Sequence, residues 1–272
     1  MPRYAVLGAT GNTGRAIVQL LLERGGACQV RAYCRSREKL LRLCPAAADA
    51  QNRLSVFQGR LDNPGLIDDC LCGADAVFLV VAVVDNMPGC SVAMQTAQAV
   101  VASLKRLQSA TPGMRLPRLV MLSSASLEPS FCGDVPAAVH WVLKTAVSHL
   151  YHDLAAAEAF LRAQDDWLSA TFVKPGGLVH DRPRGYRVCR DRAQTPLSFL
   201  DLAAGMVEVA DNVDGLYHMR SVSVVPAESG TRFPWDGVYY TATGLLFHFF
   251  PWTYRFFGEY SLAEKEGGKK TG

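Results

Sequence analysis

Short apolar runs alternate with longer segments of helical period along this chain, the pattern of an α/β fold in which crossover helices cover both faces of a doubly wound parallel sheet. Composition agrees: 49% apolar and 19% charged residues over 272 positions is globular, and excludes a disordered, collagen-like or coiled-coil chain. A glycine-rich turn directly after the first apolar run is the third indication. The first strand spans residues 3–7, and a helix over 14–23 ends at Arg24-Gly25-Gly26, since glycine accepts the left-handed backbone of a helix end. Residues 29–34 form the second strand, a helix near 38–43 stops before Pro45, and 54–58 is the third strand. A short helix over 63–71 opens on Asn-Pro, and the nearly unbroken apolar run 76–84 predicts a strand covered on both faces. Residues 91–109 have helical period, 119–123 are a fifth strand, 139–164 one long helix and 168–173 a sixth strand. Beyond about Pro175 the pattern is irregular, with a helix at 199–210, a strand at 215–225, an aromatic segment, and a polar tail at 264–272 expected to be disordered.

The 28 basic and 25 acidic side chains nearly cancel, so no broad positive field is present to hold a nucleic acid. The eight cysteines are scattered without a Cys-x-x-Cys pair, and the six histidines do not stand at ligand spacing, which argues for reduced thiols and against both a disulfide framework and a metal site. The opening apolar run at residues 4–7 is too short for a signal peptide, so the expected location is cytoplasmic.

Gly8-Ala9-Thr10-Gly11-Asn12-Thr13-Gly14 lies between the first strand and first helix, the context of a dinucleotide-binding loop. Gly8 permits the tight turn, Gly11 the approach of a pyrophosphate, and Gly14 close helix–strand packing, while the helix amino end attracts the phosphates. At the end of the second strand stands Cys34-Arg35-Ser36-Arg37 in place of a carboxylate, so Arg35 and Ser36 are suited to a 2′-phosphate and the expected cofactor is NADP(H). Arg37 reads equally well as a solvated loop charge. Asp62 is placed either to meet the adenine or to cap the following helix, and Val81 and Ala82 should run past the nicotinamide ribose. Residues 1–175 are therefore expected to form the dinucleotide-binding unit, with 176–263 a substrate-binding region integrated with it.

The glycine loop, Arg60-Leu61-Asp62, the serine run Ser123-Ser124-Ala125-Ser126 and the turn Lys174-Pro175-Gly176-Gly177-Leu178 together resemble the NmrA-like branch of the atypical short-chain dehydrogenase/reductase superfamily. Within it, Val84-Asp85-Asn86-Met87-Pro88-Gly89-Cys90 and Phe249-Phe250-Pro251-Trp252-Thr253-Tyr254-Arg255 are similar to the averufin-oxidase-like proteins of fungal aromatic polyketide pathways. The resemblance implies a Rossmann fold and a substrate such as an anthraquinone, anthrone or xanthone precursor in secondary metabolism.

The superfamily uses a serine after strand five and a Tyr-x-x-x-Lys, in which the lysine lowers the tyrosine pKa. Tyr151 lies 25 residues after Ser126, but Ala155, or Leu154 in the neighbouring register, stands where the lysine would be. Lys144, two turns earlier on roughly the same face of one continuous helix, His152 and His140 are the substitutes, although each also reads as a surface polar group. Ser124, Tyr151 and Lys144 are thus the expected catalytic residues, with Ser123 expected beside the cofactor. The serines could also cap the next turn, and Pro175 and Gly176 either offer backbone to the nicotinamide or form a structural turn.

Twelve of the chain's 25 aromatic side chains fall within residues 233–260, an enrichment suited to stacking on a planar polycycle or to a homodimer patch, and less to a membrane surface because few cations accompany it. No run approaches the ~20 apolar residues of a spanning helix. The sequence therefore predicts an NADP-dependent oxidoreductase of a planar aromatic small molecule. The alternative is an NADP(H)-binding protein without redox turnover, acting as a sensor or an isomerase or cyclase scaffold.

Overall fold

The computed structural model describes residues 1–24, 28–50, 52–83, 85–133, 136–228 and 236–258. The chain runs β1 (Arg3–Leu7), α1 (Asn12–Glu23), β2 (Gln29–Cys34), α2 (Arg37–Leu43), α3 (Ala46–Asp49), β3 (Leu54–Gln58), α4 (Pro64–Leu71), β4 (Ala76–Leu79), α5 (Val92–Ala110) and β5 (Arg118–Leu122). It continues through α6 (Ala137–Ala146), α7 (Ser148–Arg162), β6 (Ala170–Val173), β7 (Leu178–Val179), β8 (Tyr186–Cys189), β9 (Leu197–Ser198), α8 (Phe199–Asp211), β10 (Ser221–Pro226) and α9 (Asp236–Phe249).

Eight strands form one sheet in the order β3-β2-β1-β4-β5-β6-β10-β8, parallel except for the antiparallel edge strand β8, while β7 and β9 pair separately. The order of the first six strands reverses between β1 and β4, the switch point at which doubly wound sheets bind ligands beyond their carboxyl ends. Two apolar cores flank the sheet. One packs α1 and α8 on one face, and the other packs α4, α5 and α7 on the opposite face, so residues beyond Pro175 share a core with the first strand. No helix among the described residues is long and apolar enough to cross a membrane.

Three elements differ from expectation for identifiable reasons. The apolar run 76–84 is strand only to Leu79: Val80 makes one more bond to Leu7, then the chain turns across the glycine loop. Residue 84 lies outside the described residues. The single helix expected over 139–164 is two, broken at Val147. The break is set from afar. Asn86, buried in the loop after β4, accepts a 2.8 Å bond from the His149 N–H and donates a 3.0 Å bond to the Gly244 carbonyl of α9, so its amide starts α7 and anchors α9. The strand expected at 215–225 begins only at Ser221, because the backbone turns through positive φ at Gly215 and Met219. Gly25, Gly26, the tail 264–272 and three residues of the aromatic segment, Phe233, Trp235 and Tyr260, lie outside the described residues.

Helix α9 crosses α6 so closely that a Cβ on Gly244 would stand 2.0 Å from the Ala146 carbonyl oxygen. Gly244→Ala is therefore expected to push α9 off α6 and destabilise the protein by about 1–3 kcal/mol, lowering its melting temperature by several degrees. An unchanged thermal transition would contradict that close crossing.

Candidate active site

Because the strands are parallel, the loops leaving β1, β4, β5 and β6 emerge at one edge of the sheet. At β1 the chain turns through Gly8 at φ +94°, and a side chain there would collide with the Val80 carbonyl at 2.7 Å. Helix α1 starts on Gly11, which has no side chain to cap it, and a Cβ on Gly14 would lie 2.1 Å from the Gly8 oxygen. The loop is thus closed on itself, with the Val80–Val81 backbone against it and the unpaired amides of the first helical turn at Asn12 and Thr13. This bare, glycine-lined helix amino terminus fits a dinucleotide pyrophosphate. Thr13 is buried, Thr10 is half-buried, and the backbone at Ala82 follows Val81 along the same edge.

The turn after β2 places Arg35 in solvent beside Ser36, whose hydroxyl accepts from the Lys39 N–H and caps α2. Asp62 pairs with Arg60 at 3.8 Å on the surface, both side chains more than 70% exposed, and the cap of α4 is Asn63, which accepts from Leu66. The two readings of Asp62 are thereby separated: it does not cap.

After β5 the serines divide their work. Ser124 Oγ lies 3.0 Å from the Tyr151 hydroxyl, which in turn reaches Ser126 Oγ at 3.2 Å. Ser124 also caps the 3₁₀ turn Ala125–Leu127. Ser123 has a different partner: buried, it donates a short hydrogen bond to Glu158 of α7. Glu158 also binds the Lys174 ammonium at 2.9 Å, and Lys174, 2% exposed, reaches Glu128 at 3.3 Å. Burial raises the Glu128 carboxyl, and Lys174 together with hydrogen bonds from Ser221 and Lys174 more than reverses this, leaving it below the usual carboxylate range.

A second buried carboxylate orients the helix of Tyr151. Asp153 accepts from the Ala93 and Met94 N–H groups at 2.8 and 2.9 Å, capping α5 from sixty residues away, and from the Cys90 thiol at 3.3 Å. Burial and this carboxylate push Cys90 up to about 11.

The geometric ground for Lys144 does not hold, because the break at Val147 interrupts the helical phase that related it to Tyr151; Lys144 is exposed on α6 and His152 is exposed on α7. Leu154 is buried in the core and Ala155 is exposed, so neither register carries a cation after Tyr151. Pro175 accepts from Ala125, tying β6 to the serine turn, and Gly177 N–H donates to Thr195. The Pro175-Gly176-Gly177 turn is thereby tied into the fold, with a Cβ on Gly176 excluded by Thr195 and Gln194. Sequence reasoning missed Glu158, Asp153, Lys174 and Asn86. For the first two a signal was present, since both fall on the apolar stripe of α7 that includes Leu150, Leu154, Ala157 and Leu161.

Residues 8–213 match the model of an NAD(P)H-binding family. The chain is 76% identical over 269 residues to the oxidoreductase stcQ of Emericella nidulans, covering 98% of both chains. It is 54% identical to the oxidoreductase aflX of Aspergillus parasiticus, over 95% of this chain and 96% of that one. Among solved structures, a short-chain dehydrogenase/reductase from Veillonella parvula in complex with NADP superposes with a TM-score of 0.64 at 20% identity, covering 85% of this chain and 97% of that one, a likeness of fold.

Removing the ammonium with Lys174→Met leaves Glu158 with Arg162 at 3.9 Å as its remaining cation and strips Glu128 of its ion pair, and is expected to destabilise the protein by about 2–4 kcal/mol in urea unfolding; a loss under ~1 kcal/mol would show the ammonium to be dispensable. Burial foremost, then the His248 and His152 rings, hold His149 below the ordinary histidine range. The folded protein therefore binds this proton less readily than the unfolded chain, so stability rises as pH increases through ~6.5 and falls on acidification. Melting temperature against pH is expected to show this slope in the native chain and a flatter profile in His149→Gln.

Proposed function

The chain belongs to the NAD(P)H-binding family, and we propose that it is an NADP(H)-dependent oxidoreductase acting on a planar aromatic, polyketide-type substrate in secondary metabolism. The observation that carries this reading is the pair of hydroxyls, Ser124 and Tyr151, 3.0 Å apart on the sheet edge that also bears the glycine turn. Similarity to fungal proteins named oxidoreductases supports the reaction class, and the resemblance of the 84–90 and 249–255 segments supports the substrate class.

In this reading the amides of Asn12 and Thr13 with the loop from Gly8 through Thr10 and Gly11 to Gly14 bind the pyrophosphate, and Arg35 with Ser36 meets the 2′-phosphate. Val81, Ala82 and the Pro175-Gly176 backbone line the nicotinamide end. When bound, the nicotinamide supplies or accepts hydride. Ser124 and Tyr151 hold a substrate carbonyl oxygen between them, and Tyr151 moves the proton at that oxygen. Asp153 and Glu158 are positioning residues: they fix α7, and with it the phenol, against α5 and β6.

A second reading, coenzyme binding without net redox turnover, rests on one observation: Leu154 and Ala155 leave the usual lysine position without a cation. Oxidation of NADPH followed by absorbance with anthraquinone-type substrates separates the two. Turnover is expected, with Tyr151→Phe lowering kcat on the order of 10²-fold or more at unchanged NADPH affinity, and Arg35→Ala weakening NADPH about tenfold more than NADH. Tight coenzyme binding with no oxidation by any such substrate, or a product formed while the coenzyme stays unchanged, would overturn the redox reading.

A further inference from the structure

Helices α6 and α9, crossed at Gly244 and Ala146, turn an apolar surface outward. Trp141, Phe249, Phe250, Trp252, Phe256 and Phe257 are each 52–63% exposed on it, so these rings do not line an enclosed pocket. Across residues 136–146 and 236–258 the only Asp, Glu, Lys or Arg residues are Lys144, Asp236 and Arg255. At roughly 100 Å² of uncovered surface per ring, with the exposed Val139 and Leu143 of α6 and Val238 and Leu246 of α9 added, these side chains present on the order of 800 Å². That exceeds the few hundred Å² of apolar patch usual on a monomer and equals about what each partner gives to a stable interface.

We propose that this face is a homodimer interface, in which α6 and α9 pair with the same helices of a second copy. Three features favour this occupant over a bilayer. Aromatic enrichment with depletion of charge is the composition of an interface core. A two-fold axis sets the same patch against itself, so one apolar face supplies both sides of the interface and needs no oppositely charged partner surface. Two cations offer little to an anionic bilayer, which recruits peripheral helices through clusters of Lys and Arg.

The pairing has a consequence for the site. Only Val147 separates α6 from α7, and Ser148, the first residue of α7, lies 2.7 Å from Nδ1 of His248 on α9. Covering α6 and α9 therefore braces the start of α7, three residues before Tyr151.

Sedimentation velocity of the full chain tests this independently of any coenzyme. A species of twice 29.6 kDa is expected at micromolar concentration. The double variant Trp252→Glu, Phe256→Glu is expected to run as a monomer with unchanged far-ultraviolet circular dichroism. Should that variant lose its fold, the native chain still decides: its mass on dilution, and amide exchange rising in α6 and α9 as it dissociates. A native chain that stays monomeric, a folded variant that stays dimeric, or a monomer that co-floats with phosphatidylcholine–phosphatidylserine vesicles would each overturn the proposal, the last in favour of a membrane surface.

Discussion

The buried ammonium of Lys174 holds the working edge of this protein together. An isolated charge with 2% exposure would be strongly disfavoured, and here it is balanced by Glu158 at 2.9 Å and Glu128 at 3.3 Å. Those partners come from different parts of the chain: Lys174 follows β6, Glu128 follows the serine turn, and Glu158 lies on α7 with Ser123 bonded to it. One ion-paired cluster therefore joins the loops after two strands to the helix that carries Tyr151. Ser124 is left free of that cluster and meets the phenol instead.

The same economy recurs around α7. Its amino end is set by the Asn86 side chain, and its second turn is tied through Asp153 to the first amides of α5. Each is a buried polar group whose partners are backbone amides at helix starts, where donors would otherwise be unpaired. The position of Tyr151 is thus determined by carboxylates and an amide at either side of it rather than by the lysine that usually follows such a tyrosine. Where that lysine would stand, the chain has Leu154 in the core and Ala155 in solvent.

The nucleotide end of the site was legible in the residues because its requirements are local. Gly8, Gly11 and Gly14 lie within seven residues, and the positive φ of Gly8 and the Gly14 contact with the Gly8 carbonyl, which admits no Cβ, are local to that loop. The catalytic end was legible only in part. Ser124 and Tyr151 could be nominated from spacing, but the phase argument for Lys144 assumed a continuous helix, and Asn86 breaks that helix from some sixty residues away. Ser123 and Ser124 could not be told apart, since their different partners follow from where Glu158 and Tyr151 lie on α7.

Apolar period, turn residues and the glycine loop were enough to determine the α/β class and most strand positions, because strand and helix patterning is written over a few residues and the burial of both sheet faces demands it. Tertiary structure alone decided where the run 76–84 stops being strand, that residues 221–226 extend the sheet beyond β6, and that Phe249, Phe250, Trp252, Phe256 and Phe257 face outward while Phe247 is buried. These outcomes depend on contacts between segments far apart in the chain: Val80 against Gly8, Ser221 beside Phe172, Gly244 on Ala146. No local pattern encodes such contacts, since each is settled by which distant backbone approaches and what space it leaves.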